Sequence, residues 1–278
     1  MRFGLNFPLS GLFSDISLVS ELAEEAEDCG WDGCFVWDHL RIAGTGSSSD
    51  AWLALALIAH ATNRITIGPL VTPIFRRHLG KLAQETVTLD HLSNGRLIMG
   101  VGLGSDEFGE ISAFGGPLDD LVRSEMLDEG LRILTELWSG QRVTFEGKHY
   151  RIRDAQILPA CLQSPRIPIW VAASWGRKRP MRRAARFDGL VTVRGDMASS
   201  LTPAATEEMV SYVRGIRTSK SSFEVVHFGH MGDVPVDEVR TYVESYADAG
   251  VTWWIDTFPF DSEDIDQIRA QIRRGPLL

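Results

Sequence analysis

Runs of apolar residues alternate with amphipathic stretches along almost the whole chain. The first run, Arg2 to Phe7, predicts a strand, and Asp15 to Cys29 predicts a helix with Ser14 as its cap and Gly30 as its stop. The same alternation continues to the C-terminal region. Further strands are predicted at residues 33–38, 65–71, 96–101, 167–173, 189–193, 223–228 and 252–256. Further helices are predicted at 51–61, 79–92, 118–138, a segment ending near 186, 203–216, 236–249 and a last one capped at 262 that ends near 273.

One segment departs from this alternation. Residues 143–152 have the pattern of a β-hairpin that turns at Gly147. We therefore expect a small hairpin insertion between the fourth helix and the fifth strand.

Eight strands, each followed by a helix, predict an α/β fold of the (β/α)8 TIM-barrel type, with residues 1–278 as a single domain. Several of the strands are continuous apolar runs, as expected where both faces of a parallel sheet are buried. A doubly wound open sheet is the alternative. It would need a glycine-rich nucleotide loop after the first strand, and residues 6–11 (Asn-Phe-Pro-Leu-Ser-Gly) lack that spacing.

Composition narrows the class of protein. A net charge of −9 and a pI of about 5.3 disfavour a nucleic-acid partner. No apolar run approaches the roughly 18 residues of a membrane span, and the N-terminus has no signal-peptide pattern. Three cysteines, Cys29, Cys34 and Cys161, show neither metal-binding nor redox spacing. We expect a cytoplasmic protein with no membrane partner and no metal site.

The active site of such a barrel lies at the carboxyl ends of its strands, so the residues there are candidates for chemistry. Asp38 and His39 end the second strand, and a histidine there can exchange a proton near neutral pH. The alternative is a capping aspartate beside a structural histidine.

Two further strand ends offer binding features. The alternate glycines of residues 100–104 would let a flat ligand approach the backbone, although a tight barrel mouth explains them equally well. Ser174 and Arg177, at the start of the fifth predicted helix, suit a phosphate, whereas an ordinary helix cap with a solvated basic turn is the alternative. Arg76 and Arg77 could hold an anionic ligand tail or lie in a solvated loop.

The helix predicted at residues 51–61 is apolar almost all round, whereas an outer barrel helix should have a polar face. The hairpin, a neighbouring loop or a second subunit would have to cover it. We expect a homodimer through this helix.

These residues together resemble the bacterial-luciferase-like superfamily, the luciferase-like monooxygenases, which includes flavin-dependent monooxygenases and oxidoreductases dependent on the deazaflavin coenzyme F-420. The most specific part of the resemblance runs from Ile67 to Gly104, and nearly all of it lies before residue 194. The matching segments are residues 3–5, 26–40, 67–73, 77–78, 88–96, 100–104, 145–150, 168–173 and 183–189.

The resemblance implies roles for particular residues. It implies a (β/α)8 barrel that binds FMN or coenzyme F-420 at its mouth, with His39 and Asp38 beside the reactive ring. It also implies a non-proline cis peptide at the end of the third strand, at Pro69-Leu70 give or take one bond. The implied cofactor contacts are Asp38, Pro69, Leu70, Val71, Thr72, Gly102, Gly104, Ala173, Ser174 and Gly176, to which the phosphate argument adds Arg177.

The main hypothesis is a flavin- or deazaflavin-dependent oxidoreductase acting on a small organic substrate. With the deazaflavin, hydride passes between the ring and the substrate and His39 handles the proton. With FMN, a separate flavin reductase supplies the reduced cofactor and the barrel shields the reaction with O₂ from water. Asp38 and His39 favour the deazaflavin. A non-catalytic flavin-binding protein and a TIM-barrel hydrolase are the alternatives.

Overall fold

The computed structural model describes residues 1–42, 44, 46–194, 201–231, 234–235 and 237–276. Its strands are β1 (Arg2–Phe7), β2 (Gly33–Val36), β3 (Thr66–Pro69), β4 (Thr72–Pro73), β5 (Met99–Gly102), β6 (Val143–Glu146), β7 (Arg151–Ala155), β8 (Ile169–Ser174), β9 (Gly189–Val193), β10 (Glu224–Gly229) and β11 (Trp253–Thr257). Its α-helices are α1 (Ile16–Asp28), α2 (Ala51–Ala61), α3 (Leu79–Leu92), α4 (Glu110–Ala113), α5 (Asp120–Trp138), α6 (Lys178–Ala184), α7 (Pro203–Ile216), α8 (Val239–Asp248) and α9 (Ile265–Arg273).

The parallel strands form a closed ring. Their order is β3-β2-β1-β11-β10-β9-β8-β5-β4. β3 lies within the third strand predicted at 65–71, and β4 continues that strand beyond its predicted end. The ring closes because β3 and β4 both pair with the segment that contains β5. Ile98 N–H, just before β5, donates to Ile67 O of β3 (2.8 Å), and Thr72 of β4 pairs with Val101 of β5. The predicted eight-stranded barrel is therefore confirmed, with one strand split in two.

The predicted hairpin is confirmed as the antiparallel pair β6–β7. Glu129 of α5 holds its turn, because its carboxylate accepts from the backbone N–H groups of Lys148 (2.8 Å), His149 (3.0 Å) and Tyr150 (3.1 Å). The hairpin is thus an excursion outside the barrel that α5 anchors.

Two helix starts differ from the sequence prediction. Asp15, not Ser14, caps α1, since its carboxylate accepts from Ser17 N–H (3.0 Å) and Leu18 N–H (3.3 Å). Asp264, not Ser262, caps α9 in the same way. In both cases a carboxylate stands closer to the first turn than the predicted hydroxyl, and a carboxylate is also favoured by the helix dipole.

The barrel interior is filled by large side chains that need glycines opposite them. Phe35, Trp170, Trp253 and Ile255 belong to one buried cluster inside the ring. A Cβ on Gly4 would lie 2.8 Å from the Phe35 ring and 3.0 Å from Ile255 Cδ1, so this position of β1 faces inward. The described part of the chain contains no helix long and apolar enough to cross a membrane.

Candidate active site

His39 and Glu110 form a pair at the mouth of the barrel. His39 Nδ1 lies 2.9 Å from Glu110 Oε1, and the other carboxylate oxygen accepts from Leu40 N–H (2.7 Å) and from Arg76 Nη1 (2.8 Å). The Glu110 side chain is 1% exposed and that of His39 is 19% exposed. The hydrogen bond of the His39 ring to another described residue is made by Nδ1, so Nε2 is the ring nitrogen available to a ligand.

The environment keeps Glu110 ionised. Burial by itself raises the pKa of the Glu110 carboxyl, but the hydrogen bond and charge of His39, the charge of Arg76 and the Leu40 N–H together hold the pKa below its usual value. An ionised carboxylate accepts only, so the proton of this contact belongs to Nδ1 and a neutral imidazole presents Nε2 as an acceptor. The arrangement is that of a general base oriented by a carboxylate.

Asp38 lies beside this pair in a network of its own. Its carboxylate accepts from Arg76 Nη2 (2.8 Å), Arg77 Nη2 (2.7 Å) and Thr72 Oγ1 (2.8 Å), and the residue is 3% exposed. Burial raises the pKa of Asp38, but the charges of Arg77 and Arg76 outweigh it and keep the pKa low. Asp38 is adjacent to His39 in the chain, but the carboxylate oxygens of Asp38 accept hydrogen bonds from two arginines and Thr72.

Arg76 joins the two carboxylates. It donates to both Asp38 and Glu110, and its side chain is 10% exposed. Neither sequence-based interpretation of Arg76 and Arg77, an anionic ligand tail or a solvated loop, anticipated this role. Both guanidinium groups position the acidic residues behind His39.

The third strand carries the expected non-proline cis peptide. It lies at Leu70-Val71, within one bond of the position that the resemblance implied. This segment packs closely on β5: a Cβ on Gly100 would lie 2.1 Å from Pro69 O, and one on Gly102 would lie 2.7 Å from Val71 Cγ2. The alternate glycines therefore have a packing reason, and the cofactor contacts predicted for Pro69 to Thr72, Gly102 and Gly104 stay predictions.

The end of β8 leaves an open turn. Gly176 has a φ of +76°, and a Cβ placed there would meet no atom of the described residues within 4 Å. The Arg177 side chain is 71% exposed and its Nη1 lies 3.8 Å from Asp120 Oδ2. Considering the described residues alone, a phosphate could lie beside Ala173, Ser174 and Gly176, and this role stays a prediction.

Aromatic rings line the same region. The Trp37 ring lies 5.6 Å from that of His39, the His39 ring lies 5.5 Å from that of Phe108, and the Phe108 ring lies 6.0 Å from that of Phe260. Sequence reasoning missed Glu110 and Phe108. The available signal was their position just after Gly104, at the end of the predicted fourth strand. In the described ranges, no group of three His, Cys, Asp or Glu side chains is placed to hold a metal ion.

The fold and this mouth agree with a known family. The sequence profile of the luciferase-like monooxygenase family matches residues 7–271, and the chain belongs to that family. The resemblance seen in the sequence is thereby confirmed.

Among individual proteins, the chain is 34% identical to an F420-dependent glucose-6-phosphate dehydrogenase of Nakamurella multipartita, over 67% of this chain and 55% of that protein. It is also 34% identical to an F420-dependent hydroxymycolic acid dehydrogenase of Mycobacterium tuberculosis, over 55% of this chain and 42% of that protein. The alignments thus span about half the length of these curated relatives.

Solved structures share the fold at low sequence identity. A coenzyme F420-dependent tetrahydromethanopterin reductase from Methanopyrus kandleri has a TM-score of 0.78 at 17% identity and covers 99% of this chain and 98% of its own. The monooxygenase RslO1 from Streptomyces bottropensis has a TM-score of 0.78 at 22% identity and covers 98% and 97%.

Proposed function

We propose that this protein is a deazaflavin-dependent oxidoreductase that uses coenzyme F-420 to transfer hydride to or from a small organic substrate. The observation that carries the proposal is the His39–Glu110 pair, with Nε2 of a half-buried histidine available at the barrel mouth. The curated relatives named as F420-dependent support the choice of cofactor.

The residues of the mouth fit such a cofactor. Among the described residues, the turn at Gly176 leaves open space that a phosphate could occupy. When bound, the deazaflavin supplies a ring carbon that accepts or donates hydride. Ala173, Ser174, Gly176 and Arg177 would hold its phosphate, and residues 69–72, with Gly102 and Gly104, would border its ring.

The chain's own residues manage the proton that accompanies hydride transfer. Nε2 of His39 takes up or returns that proton, and the Glu110 carboxylate stabilises the imidazolium that forms. Arg76 and Leu40 N–H keep Glu110 ionised and aimed at Nδ1. Asp38 acts as a positioning residue, because its two oxygens hold Arg76 and Arg77 in place.

The cofactor is tested by titrating the protein with coenzyme F-420 and with FMN, each oxidised and reduced, by fluorescence quenching. Preferred binding of the deazaflavin is the expected result. Preferred binding of reduced FMN would instead indicate a monooxygenase that needs a separate flavin reductase. Binding of neither would contradict the proposal and return attention to a hydrolase.

The pair is tested by His39→Asn and Glu110→Gln. An asparagine amide can keep the contact with Glu110 but has no second nitrogen, so turnover should fall by about 10²-fold or more while deazaflavin affinity stays near that of the wild type. Glu110→Gln should also lower turnover, because the imidazolium that forms during proton transfer loses its neighbouring anion. Glu107→Gln is the matched control, since Glu107 is exposed on the same segment. Unchanged turnover in His39→Asn would show that His39 has no part in the chemistry.

A second copy of this chain is the proposed partner of α2. Leu53 is 62% exposed and Leu57, one turn later, is 37% exposed, while Leu55 and Ile58 are buried. Two neighbouring exposed leucines on an apolar helix are typical of an interface. Leu53→Glu should reduce the mass measured by light scattering from dimer to monomer, whereas Leu158→Glu, at a leucine 68% exposed elsewhere, should not. A monomeric wild type at micromolar concentration would contradict the dimer.

A further inference from the structure

Asn6 and Thr257 sit side by side on the inner face of the barrel. They are register partners at the carboxyl ends of the neighbouring strands β1 and β11. Side chains alternate between the two faces of a strand, and both Gly4 and Ile255 face the interior, so Asn6 and Thr257, two residues further on, also face it. The pair forms the next layer toward the mouth.

Neither side chain forms a hydrogen bond with another residue that the structure describes. Among the described residues, both amide atoms of Asn6 and the hydroxyl of Thr257 are buried and have no hydrogen-bond partner. Asn6 is 0% exposed. Buried polar groups without partners are costly, and an amide and a hydroxyl that converge at a barrel mouth are explained by a ligand that completes their hydrogen bonds.

The pair is next to the proposed catalytic residues. Asn6 pairs in register with Phe35, and Trp37, two residues further along the same segment, lies against His39. On the other side, Phe258 N–H donates to Asn6 O (3.1 Å), so the segment that carries Phe260 begins beside Asn6. A ligand between the pair and His39 would therefore meet aromatic rings on its way to the mouth.

We propose that Asn6 and Thr257 bind an uncharged hydroxyl or carbonyl group of the substrate and so select neutral substrates with an apolar body. An amide and a hydroxyl each donate and accept without charge, so the pair satisfies a neutral oxygen, whereas an anionic group would be buried there without a countercharge. The half-buried rings of Trp37, Phe108 and Phe260 suit the apolar part of the molecule. This inference rests on the proposed function and adds the substrate class to it.

The test measures binding of two probes of similar size, cyclohexanone and cyclohexanecarboxylate, by ligand-observed NMR on the full chain with and without coenzyme F-420. Wild-type protein should bind cyclohexanone at least about tenfold more tightly than the carboxylate. Asn6→Leu and Thr257→Val should each weaken cyclohexanone binding by about tenfold, because each removes a hydrogen bond. Thr66→Val, at the opposite end of the barrel, is the matched control.

A second measurement separates a substrate from a trapped water. Asn6→Leu removes two buried polar atoms without partners, so the variant should unfold at a higher temperature than the wild type when no probe is present. Thr257→Val is nearly isosteric and half-buried, so it provides the binding test even if Asn6→Leu fails to fold.

The outcomes that overturn the inference are distinct from those that overturn the proposed function. Unchanged cyclohexanone affinity in the variants, preference of the wild type for the carboxylate, or failure of the wild type to bind cyclohexanone would each refute it. A lower unfolding temperature of Asn6→Leu with unchanged affinity would assign the pair to an internal water. Failure of the wild type to bind coenzyme F-420, by contrast, refutes the proposed function. In that case the probe titrations carried out in the absence of cofactor still test whether Asn6 and Thr257 bind a neutral oxygen.

Discussion

His227 makes the stability of this protein depend on pH in a way that can be calculated. The residue is 1% exposed on β10, with its ring 4.1 Å from that of Tyr246 and 5.4 Å from that of Trp254. Its one hydrogen-bond contact within the described residues is the 3.3 Å approach of Nδ1 to Thr192 Oγ1, and Nε2 has no partner there. Burial lowers the pKa of His227 to about 4.

The sign of the effect follows from where the proton binds. Between pH 6.5 and pH 4 the unfolded chain takes up a proton that folded His227 does not, so the folded state loses stability as the pH falls through this window. The pKa difference of about 2.5 corresponds to about 3.4 kcal/mol in total, of which about 2 kcal/mol is lost between pH 7 and pH 5.

The perturbation is His227→Phe, which keeps an aromatic ring against Tyr246 and Trp254 but cannot be protonated. Urea unfolding at pH 7, 6 and 5 measures the free energy of unfolding of both proteins. The wild type should lose about 2 kcal/mol more than the variant between pH 7 and pH 5. His60→Gln, which removes an exposed imidazole, is the control and should leave the pH dependence of the wild type unchanged.

One result would refute this reasoning. If wild type and His227→Phe lose equal stability between pH 7 and pH 5, the proton affinity of His227 is the same in the folded and unfolded states. The ring would then be hydrated or charged in the folded protein, and its burial against Tyr246 would not control its ionisation.

Two further predictions concern the support of the active site. Asp38→Asn removes the buried carboxylate that Arg76 and Arg77 share and should lower the free energy of unfolding by about 3 kcal/mol, measured by urea unfolding. Asp154→Asn, in an exposed ion pair with Arg142, should change it by less than about 1 kcal/mol. Equal effects would show that the Asp38 network is not structural. Gly100→Ala should sharply reduce the yield of soluble folded protein, because its Cβ would lie 2.1 Å from Pro69 O. The control is Gly215→Ala in α7, where a Cβ would have no described atom within 4 Å, and it should be neutral or raise Tm. A Gly100→Ala variant as stable as the wild type would mean that β3 and β5 can separate without cost.

Much of the fold could be predicted because it depends on local pattern. The alternation of apolar runs and amphipathic stretches located the barrel strands and the hairpin, and the boundaries of α2 and α3 agree with the structure residue for residue. The first residue of a helix could not be predicted from the pattern where two adjacent residues can both cap it, as Ser14 and Asp15 can. A periodic pattern reports which face of a segment is buried, but not which of two adjacent polar residues turns toward the backbone.

The candidate site was predicted only in part for the same reason. His39 was identified because a histidine at a strand end is visible in the sequence. Adjacent residues after a strand point in different directions, however, and Asp38 proved to bind Arg76 and Arg77 while His39 binds Glu110. The sequence placed Asp38 and His39 in one role, and in the structure their side chains bond to different partners; the roles stay predictions.

The sequence by itself determined the order of strands and helices, the family, and the position of His39 at the mouth. Only the tertiary structure decided which side chains meet there. His39 and Glu110 are 71 positions apart, and Asn6 and Thr257 lie on the first and last strands of the ring. These partners come together because the strands pair in one register and the ring closes, and that closure is a property of the whole sheet rather than of any segment.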